Sequence, residues 1–287
     1  MKICISTYSF HRALADASMT LYDVADFAKA HGAQGIEIVD SCVGERKTEE
    51  QAREFAAYCE KIGLEIPSLC TGADLTAPDL DAQIARLCTT VDLAAAFGCK
   101  TMRHDATGGD FRKARHTKIG YADVLETLAK GCRLVTAYAK TRGIRTLTEN
   151  HGYFSQDADR VESLINAVGD ENFGALVDIG NFLCADENPP LSVGKLAPYA
   201  GMVHAKDFHV LPGDLPSPGE GWFRSRGGNY LRGAIIGHGN AHVTQSLGVL
   251  KRAGYDGFIS VEFEGMEAES LGVRLGIANL RRFWDAL

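Results

Sequence analysis

The sequence predicts an α/β fold, a single (β/α)8 barrel spanning residues 1–287, and three observations carry that prediction. Short apolar, β-branched runs alternate with longer amphipathic stretches, the pattern of parallel strands covered by helices. Eight such pairs fit in 287 residues, which is the size of one barrel with modest insertions. No Gly-x-Gly-x-x-Gly turn follows an early strand, as it would in an open sheet that binds a dinucleotide. No shift in composition marks a domain boundary.

The first strand is read at residues 2–7, followed by a helix over 20–31 and a second strand at 35–40. Thr48 opens the next helix with a Thr-x-x-Gln capping pattern and Gly63 closes it. A third strand at 64–70 leads to a helix over 80–97, ended by Gly98, and to strand four at 100–105. The second half continues with a helix over 121–142, strand five at 145–150, a helix over 157–168 and strand six at 173–179. A weak short helix at 193–199, strand seven at 202–206, a helix over 243–253, strand eight at 257–263 and a last helix over 267–285 complete the eight units. Residues 208–239 are too long for an ordinary connection. They carry Trp222, Phe223, Tyr230, Arg224, Arg226 and Arg232 among many Gly and Pro, and are expected to be irregular, forming a lid or an oligomer contact.

Composition narrows the function classes. The chain is 45% hydrophobic and 23% charged with a net charge of −7, which disfavours a surface for nucleic acid. Eight cysteines lie between Cys4 and Cys184 without a Cys-x-x-Cys pair, so reduced thiols are expected rather than a zinc ribbon or disulfide framework. The opening Met-Lys-Ile-Cys-Ile-Ser-Thr reads as a strand and not a signal peptide. No window approaches the ~18 apolar residues of a membrane span. A cytoplasmic protein without membrane contact is expected.

Barrel active sites lie where strands end. Strand five ends Glu149-Asn150-His151, strand six Asp178-Ile179-Gly180-Asn181, strand seven His204-Ala205-Lys206-Asp207, and strand eight contains Glu262-Phe263-Glu264. Ionisable groups at the ends of apolar strands are costly unless paired or metal-bound. Three carboxylates converging with one imidazole repel one another unless a cation sits between them. Glu149, Asp178, His204 and Glu262 are therefore expected to hold one divalent metal ion, and their mostly oxygen donor set suits Mn, Mg, Co or Zn. Strand alternation puts Lys206 on the face of His204 and His151 on that of Glu149. His151, Asn181, Lys206, His209 and His104 are the substrate-binding candidates. One of Arg103, His104 and Asp105 is expected to face the site, and Glu37 to hold a substrate hydroxyl or a neighbouring lysine.

These strand ends resemble the metal site of the xylose isomerase-like TIM barrel superfamily, the sugar phosphate isomerases and epimerases. The flanking text is similar too, including Gly35-Ile36-Glu37-Ile38, Gly237-His238-Gly239, and the run from Leu250 to Glu262. The resemblance covers essentially the whole chain. It departs at Asn181, where many sugar epimerases of the group carry a histidine.

The expected activity is isomerisation or epimerisation of a sugar, keto-sugar or sugar phosphate. Glu149 and Glu262 would move a proton next to a carbonyl through a metal-stabilised enediolate. The alternative is a lyase or dehydratase acting on a keto-sugar, keto-cyclitol or oxidised glycoside with the same residues. A nuclease would need further metal ligands and phosphate-binding charge, and a mere binding barrel has no need of four ligands. The expected partner is a small-molecule carbohydrate, and the resemblance implies a possible homo-oligomer.

Overall fold

Period-two apolar runs too short to be helices become strands, and each is buried on both faces because helices cover the outside. The computed structural model describes residues 1–43, 48–109 and 117–287. The strands in chain order are β1 (Lys2–Ser6), β2 (Gly35–Val39), β3 (Ser68–Thr71), β4 (Thr101–His104), β5 (Arg145–Glu149), β6 (Phe173–Asp178) and β7 (Ala200–Ala205). They are followed by β8 (Asp207–Leu211), β9 (Phe223–Arg224), β10 (Tyr230–Ala234) and β11 (Phe258–Val261). Strands β1–β7 and β11 close into a barrel in the order β1-β11-β7-β6-β5-β4-β3-β2, with parallel neighbours throughout. The result is a single (β/α)8 barrel, with the eighth barrel strand supplied by β11.

The longer helices around it are α1 (His11–Ala15), α2 (Leu21–Ala30), α3 (Glu49–Ile62), α4 (Leu80–Ala96), α5 (Tyr121–Thr141), α6 (Ala158–Val168), α7 (Pro189–Leu196), α8 (Val243–Arg252) and α9 (Glu269–Asp285). The capping box read at Thr48 is present: its side chain accepts from the Gln51 N–H, and Gly63 ends the helix at φ 74°. None of the described helices is long and apolar enough to cross a membrane.

Inside the barrel, Cys4, Cys70, Leu147, Leu176, Met202 and Phe258 form an apolar floor. Two residues further along β5, β6 and β7, the same face carries Glu149, Asp178 and His204. Register keeps them together: Asp178 and Ser260 both stand level with His204, and Glu149 with Leu176.

Three expectations are corrected. The third strand begins at Ser68, because Pro67 has no N–H to give to a ladder. The helix expected at 193–199 begins earlier, at Pro189, behind an Asn188 cap that accepts from the Leu191 N–H. The segment after β7 is not irregular throughout. Its ends form an antiparallel sheet in the order β8-β10-β9, with Leu211 opposite Tyr230 and His209 opposite Arg232. Phe208, Leu231 and Cys184 pack beneath it. The buried Asp207 carboxylate ties down the following loop, accepting from the N–H groups of Gly237, Gly239 and Ala241 at 2.9 Å each.

Candidate metal centre and active site

The centre is built from strand ends whose backbones are locked before their side chains are used. Asn150 exchanges two hydrogen bonds of 2.9 Å with the backbone of Asp178, which knits the end of β5 to that of β6. The chain then turns, and Asp178 Oδ1 accepts from the N–H groups of Gly180 (2.8 Å) and Asn181 (3.1 Å). That turn consumes one carboxylate oxygen and leaves Oδ2, which is buried without a hydrogen-bond partner. Gly180 is required here because a Cβ would stand 2.8 Å from the Lys206 carbonyl oxygen.

His204 is oriented from the far side of the barrel. Its Nε2 lies 2.7 Å from Glu37 Oε2, and Cys70 Sγ donates to Glu37 Oε1 at 3.2 Å. A carboxylate can only accept, so this contact keeps a proton on Nε2 and makes Nδ1 the nitrogen that faces the centre. Nδ1 is buried and makes no hydrogen bond. Glu37 therefore positions a histidine, correcting the expectation that it holds a substrate hydroxyl or a lysine.

Glu149 accepts from Asn181 Nδ2 at 2.9 Å through Oε1 and is forked through Oε2 by the Arg103 guanidinium. Glu262 Oε2 lies 3.3 Å from His204 Nδ1 and 2.6 Å from Lys206 Nζ. One donor atom from each of Glu149, Asp178, His204 and Glu262 lies within 4.8 Å of all the others. Two of these, Asp178 Oδ2 and His204 Nδ1, are buried and make no hydrogen bond, meeting only the charged groups of the centre itself. A group of three oxygen donors and one nitrogen, two of them buried without a hydrogen bond, fits a divalent ion.

The electrostatics follow from the crowding. Burial, with Glu149 and Glu262 nearby, pushes the Asp178 carboxyl up to about 7 against the pull of Lys206. Burial opposes the charge on Glu262, yet His204 and Lys206 outweigh it and hold the carboxyl well below its usual range. Lys206 is desolvated, but Glu262, Glu264 and Asp178 raise its ammonium well above the ordinary value. Its Nζ stands 3.3 Å from Asp178 and 3.4 Å from Glu264.

These groups open into a cavity of about 580 Å³, within the roughly 300–1,000 Å³ of small-molecule sites. Glu149, His204, Lys206 and Glu262 line it, joined by Tyr8, Glu264, Arg103, Asp105 and His151. Opposite them stand Asp40 and Ser41 after β2, Thr71 and Gly72 at the end of β3, and Arg86 of α4. His151 Nδ1 lies 3.0 Å from Asp105 Oδ1, and that carboxylate raises the imidazole's affinity for a proton. Burial works against the charge on Asp105, but Arg103 and His151 prevail and lower its carboxyl to about 2.

Three of the five substrate-binding candidates are brought together here. His151 and Lys206 line the cavity, and Asn181 stands behind it, bridging Glu149 and Lys206 (3.4 Å). His104 is not on the wall; Arg103 and Asp105, one residue to either side, take that face. His104 is buried, with Nδ1 2.9 Å from the Asp105 carbonyl oxygen and its ring near Phe173. His209 lies on the β8 hairpin, away from the cavity. No residue of 208–239 is on the cavity wall. The three arginines of that segment are used locally: Arg224 on the carbonyl oxygens of Gly213 and Gly228, Arg226 on Asp157 and Tyr153, and Arg232 against Trp222. Sequence reading missed Tyr8, Asp40, Arg86 and Glu264. Only Glu264 carried a signal, its two-residue spacing from Glu262.

The model of the family described as xylose isomerase-like TIM barrel matches residues 25–283. The chain belongs to that family. Among solved structures, the IOLI protein with a bound zinc atom superposes with a TM-score of 0.78 at 15% identity, over 100% of this chain and 99% of that one. L-ribulose 3-epimerase gives 0.76 at 14% identity, over 100% and 95%. The protein described as the probable 3-DHS dehydratase AsbF of Bacillus anthracis gives 0.72 at 17% identity, over 98% and 99%. Identities this low establish a common fold. No curated protein matches the chain in sequence.

Proposed function

We propose that the chain is a divalent-metal-dependent isomerase or epimerase of a sugar or keto-sugar. The observation that carries this reading is the four-residue donor cluster, two of whose atoms make no hydrogen bond, with three of its members lining a ligand-sized cavity. A divalent ion held by Glu149, Asp178, His204 and Glu262 would supply Lewis-acid polarisation of a substrate carbonyl. The protein's own groups perform the proton transfer. One of Glu149 and Glu262 takes the proton from the carbon beside the carbonyl, and a proton is then returned. Return to the former carbonyl carbon exchanges aldose and ketose. Return to the original carbon from the opposite face inverts its configuration. Lys206 and Arg103 fix the two carboxylates, and Asn181 couples them from behind.

One observation favours a second outcome, β-elimination. His151, backed by Asp105, stands on the cavity wall as a potential proton donor to a departing hydroxyl. The metal-dependent lyase or dehydratase is thus the second reading of the same site. Solved structures of this fold include an epimerase and a protein described as a probable dehydratase.

Metal analysis by mass spectrometry tests the common core. Wild type should hold about one divalent ion per chain, and Glu149→Gln, Asp178→Asn, His204→Ala and Glu262→Gln should lose or weaken it. NMR of keto-sugars in D₂O then separates the outcomes. Exchange of a carbon-bound proton with conserved mass supports isomerisation or epimerisation, and loss of water supports the lyase. Failure of wild type to take up any divalent ion on reconstitution would overturn the reading.

A further inference from the structure

We infer that the cavity has a second anchoring point, at Arg86, for an anionic group of the substrate, a carboxylate or a phosphate. This inference rests on the proposed active site and specifies its substrate class. Among the described residues three cationic side chains line the cavity, and they are used differently. Arg103 is committed to Glu149 and Asp105, and Lys206 to Glu262, Asp178 and Glu264. Arg86 meets no carboxylate among the described residues. Its guanidinium is instead held at the wall by neutral oxygens, with Nη1 donating to Thr71 Oγ1 at 3.3 Å and Nη2 to the Gly72 carbonyl at 2.5 Å. Thr71 in turn donates to Asp40 Oδ2 at 3.1 Å, so the hydroxyl stands between Arg86 and that acid.

A guanidinium has five N–H donors in a rigid fork, and two are engaged here. Among the described residues no carboxylate pairs with the remaining donors, which stand exposed at the edge of a ligand-sized cavity. This geometry suits a two-oxygen anion better than a neutral hydroxyl, because a planar fork pairs with carboxylate or phosphate through parallel, charge-assisted bonds. Position matters as well. Arg86 comes from α4, behind β3, whereas the donor cluster comes from β5, β6, β7 and the end of β11. A substrate whose carbonyl end lies at the donor cluster would carry its anionic end across the barrel mouth to Arg86.

The test is equilibrium binding of three probes, D-glucose, D-gluconate and D-glucose 6-phosphate, by isothermal titration. Both metal-free and manganese-loaded protein are used, because a carboxylate could also meet the ion directly. Manganese binding is measured on the same samples, so failure of the metal centre and failure of the anion point are read separately. The expected result is an anion preference of about tenfold over glucose in the metal-free protein, for at least one of the two anions. Arg86→Gln should abolish that preference without changing manganese affinity, while Arg86→Lys should retain part of it. Preference for gluconate alone identifies the carboxylate as the source, and preference for the sugar phosphate alone identifies the phosphate. Equal affinity for neutral and anionic probes overturns the inference. So does absence of measurable binding of either anion, or a preference that survives in Arg86→Gln. Equal loss in Arg86→Lys and Arg86→Gln, with a lowered melting temperature in both, would assign Arg86 to packing and also overturn it.

Discussion

At the scale of single residues, the centre depends on a histidine aimed by an acid from the opposite side of the barrel. Glu37 is 167 positions away from His204 in the chain, and its carboxylate selects which imidazole nitrogen faces the cluster. Glu37→Gln keeps the volume but presents an amide that can donate as well as accept, so the tautomer is no longer fixed. Metal affinity should fall by about 10- to 100-fold with the fold intact, as read by chelator competition alongside circular dichroism. A second consequence concerns acid stability. Asp105 has a folded-state carboxyl lowered to about 2, below its unfolded value, because Arg103 and His151 outweigh the cost of burial. Its contribution is therefore present above the unfolded pKa and is lost as pH falls toward 2. Urea unfolding of wild type and Asp105→Asn should differ by about 2 kcal/mol near pH 6, and the gap should shrink between pH 4 and pH 2. An unchanging gap would mean that Asp105 acts by packing alone. The four expected ligands were readable because acids and a histidine ending apolar strands have few harmless explanations. Glu37 was visible as a buried-strand acid, but its partner was not, since no local pattern connects β2 with β7. His104 was chosen over its neighbours because the period of strand four was known and its phase was not. Arg86 lies mid-helix, where an arginine is the commonest of exposed residues.

At the scale of elements, the insertion after β7 is where composition misled. Gly and Pro density suggested irregular chain, whereas Phe208, Val210 and Leu231 alternate well enough to make a small sheet with its own apolar underside. This sheet approaches the barrel at Gly233, where a Cβ would stand 2.4 Å from the Glu264 carbonyl oxygen. Backbone cannot yield as a flexible side chain can. Gly233→Val should cost about 2 kcal/mol or more and should speed proteolysis of 208–239 selectively. Wild-type resistance in that variant would show that the sheet docks elsewhere. The capping box at Thr48 and the eight alternating units were read correctly because both are local patterns.

At the scale of the whole molecule, the barrel holds a polar layer on an apolar floor, and the polar layer is short of compensation without an ion. Lys206 alone spans Glu262, Asp178 and Glu264. It therefore acts as the centre's internal counter-charge. Chelation should lower the melting temperature of wild type moderately, by removing a ligand that binds only the folded state. Lys206→Met under the same conditions should lose about 3 kcal/mol more, since it leaves buried carboxylates unpaired. Equal sensitivity of both proteins to chelator would exclude this role.

The placement of the donors around the ring has a further implication for how such a protein can change. The candidate metal ligands belong to the second half of the barrel, while Asp40, Thr71, Gly72 and Arg86 belong to the first. On the proposed reading, reactivity and ligand choice are carried by separate arcs, crossed chiefly by Glu37 and Arg103. A chimera exchanging only the loops after β2 and β3 and the start of α4 should acquire a new substrate preference while keeping its ion. Such a division makes the fold a chassis in which recognition can be rewritten without rebuilding the chemistry.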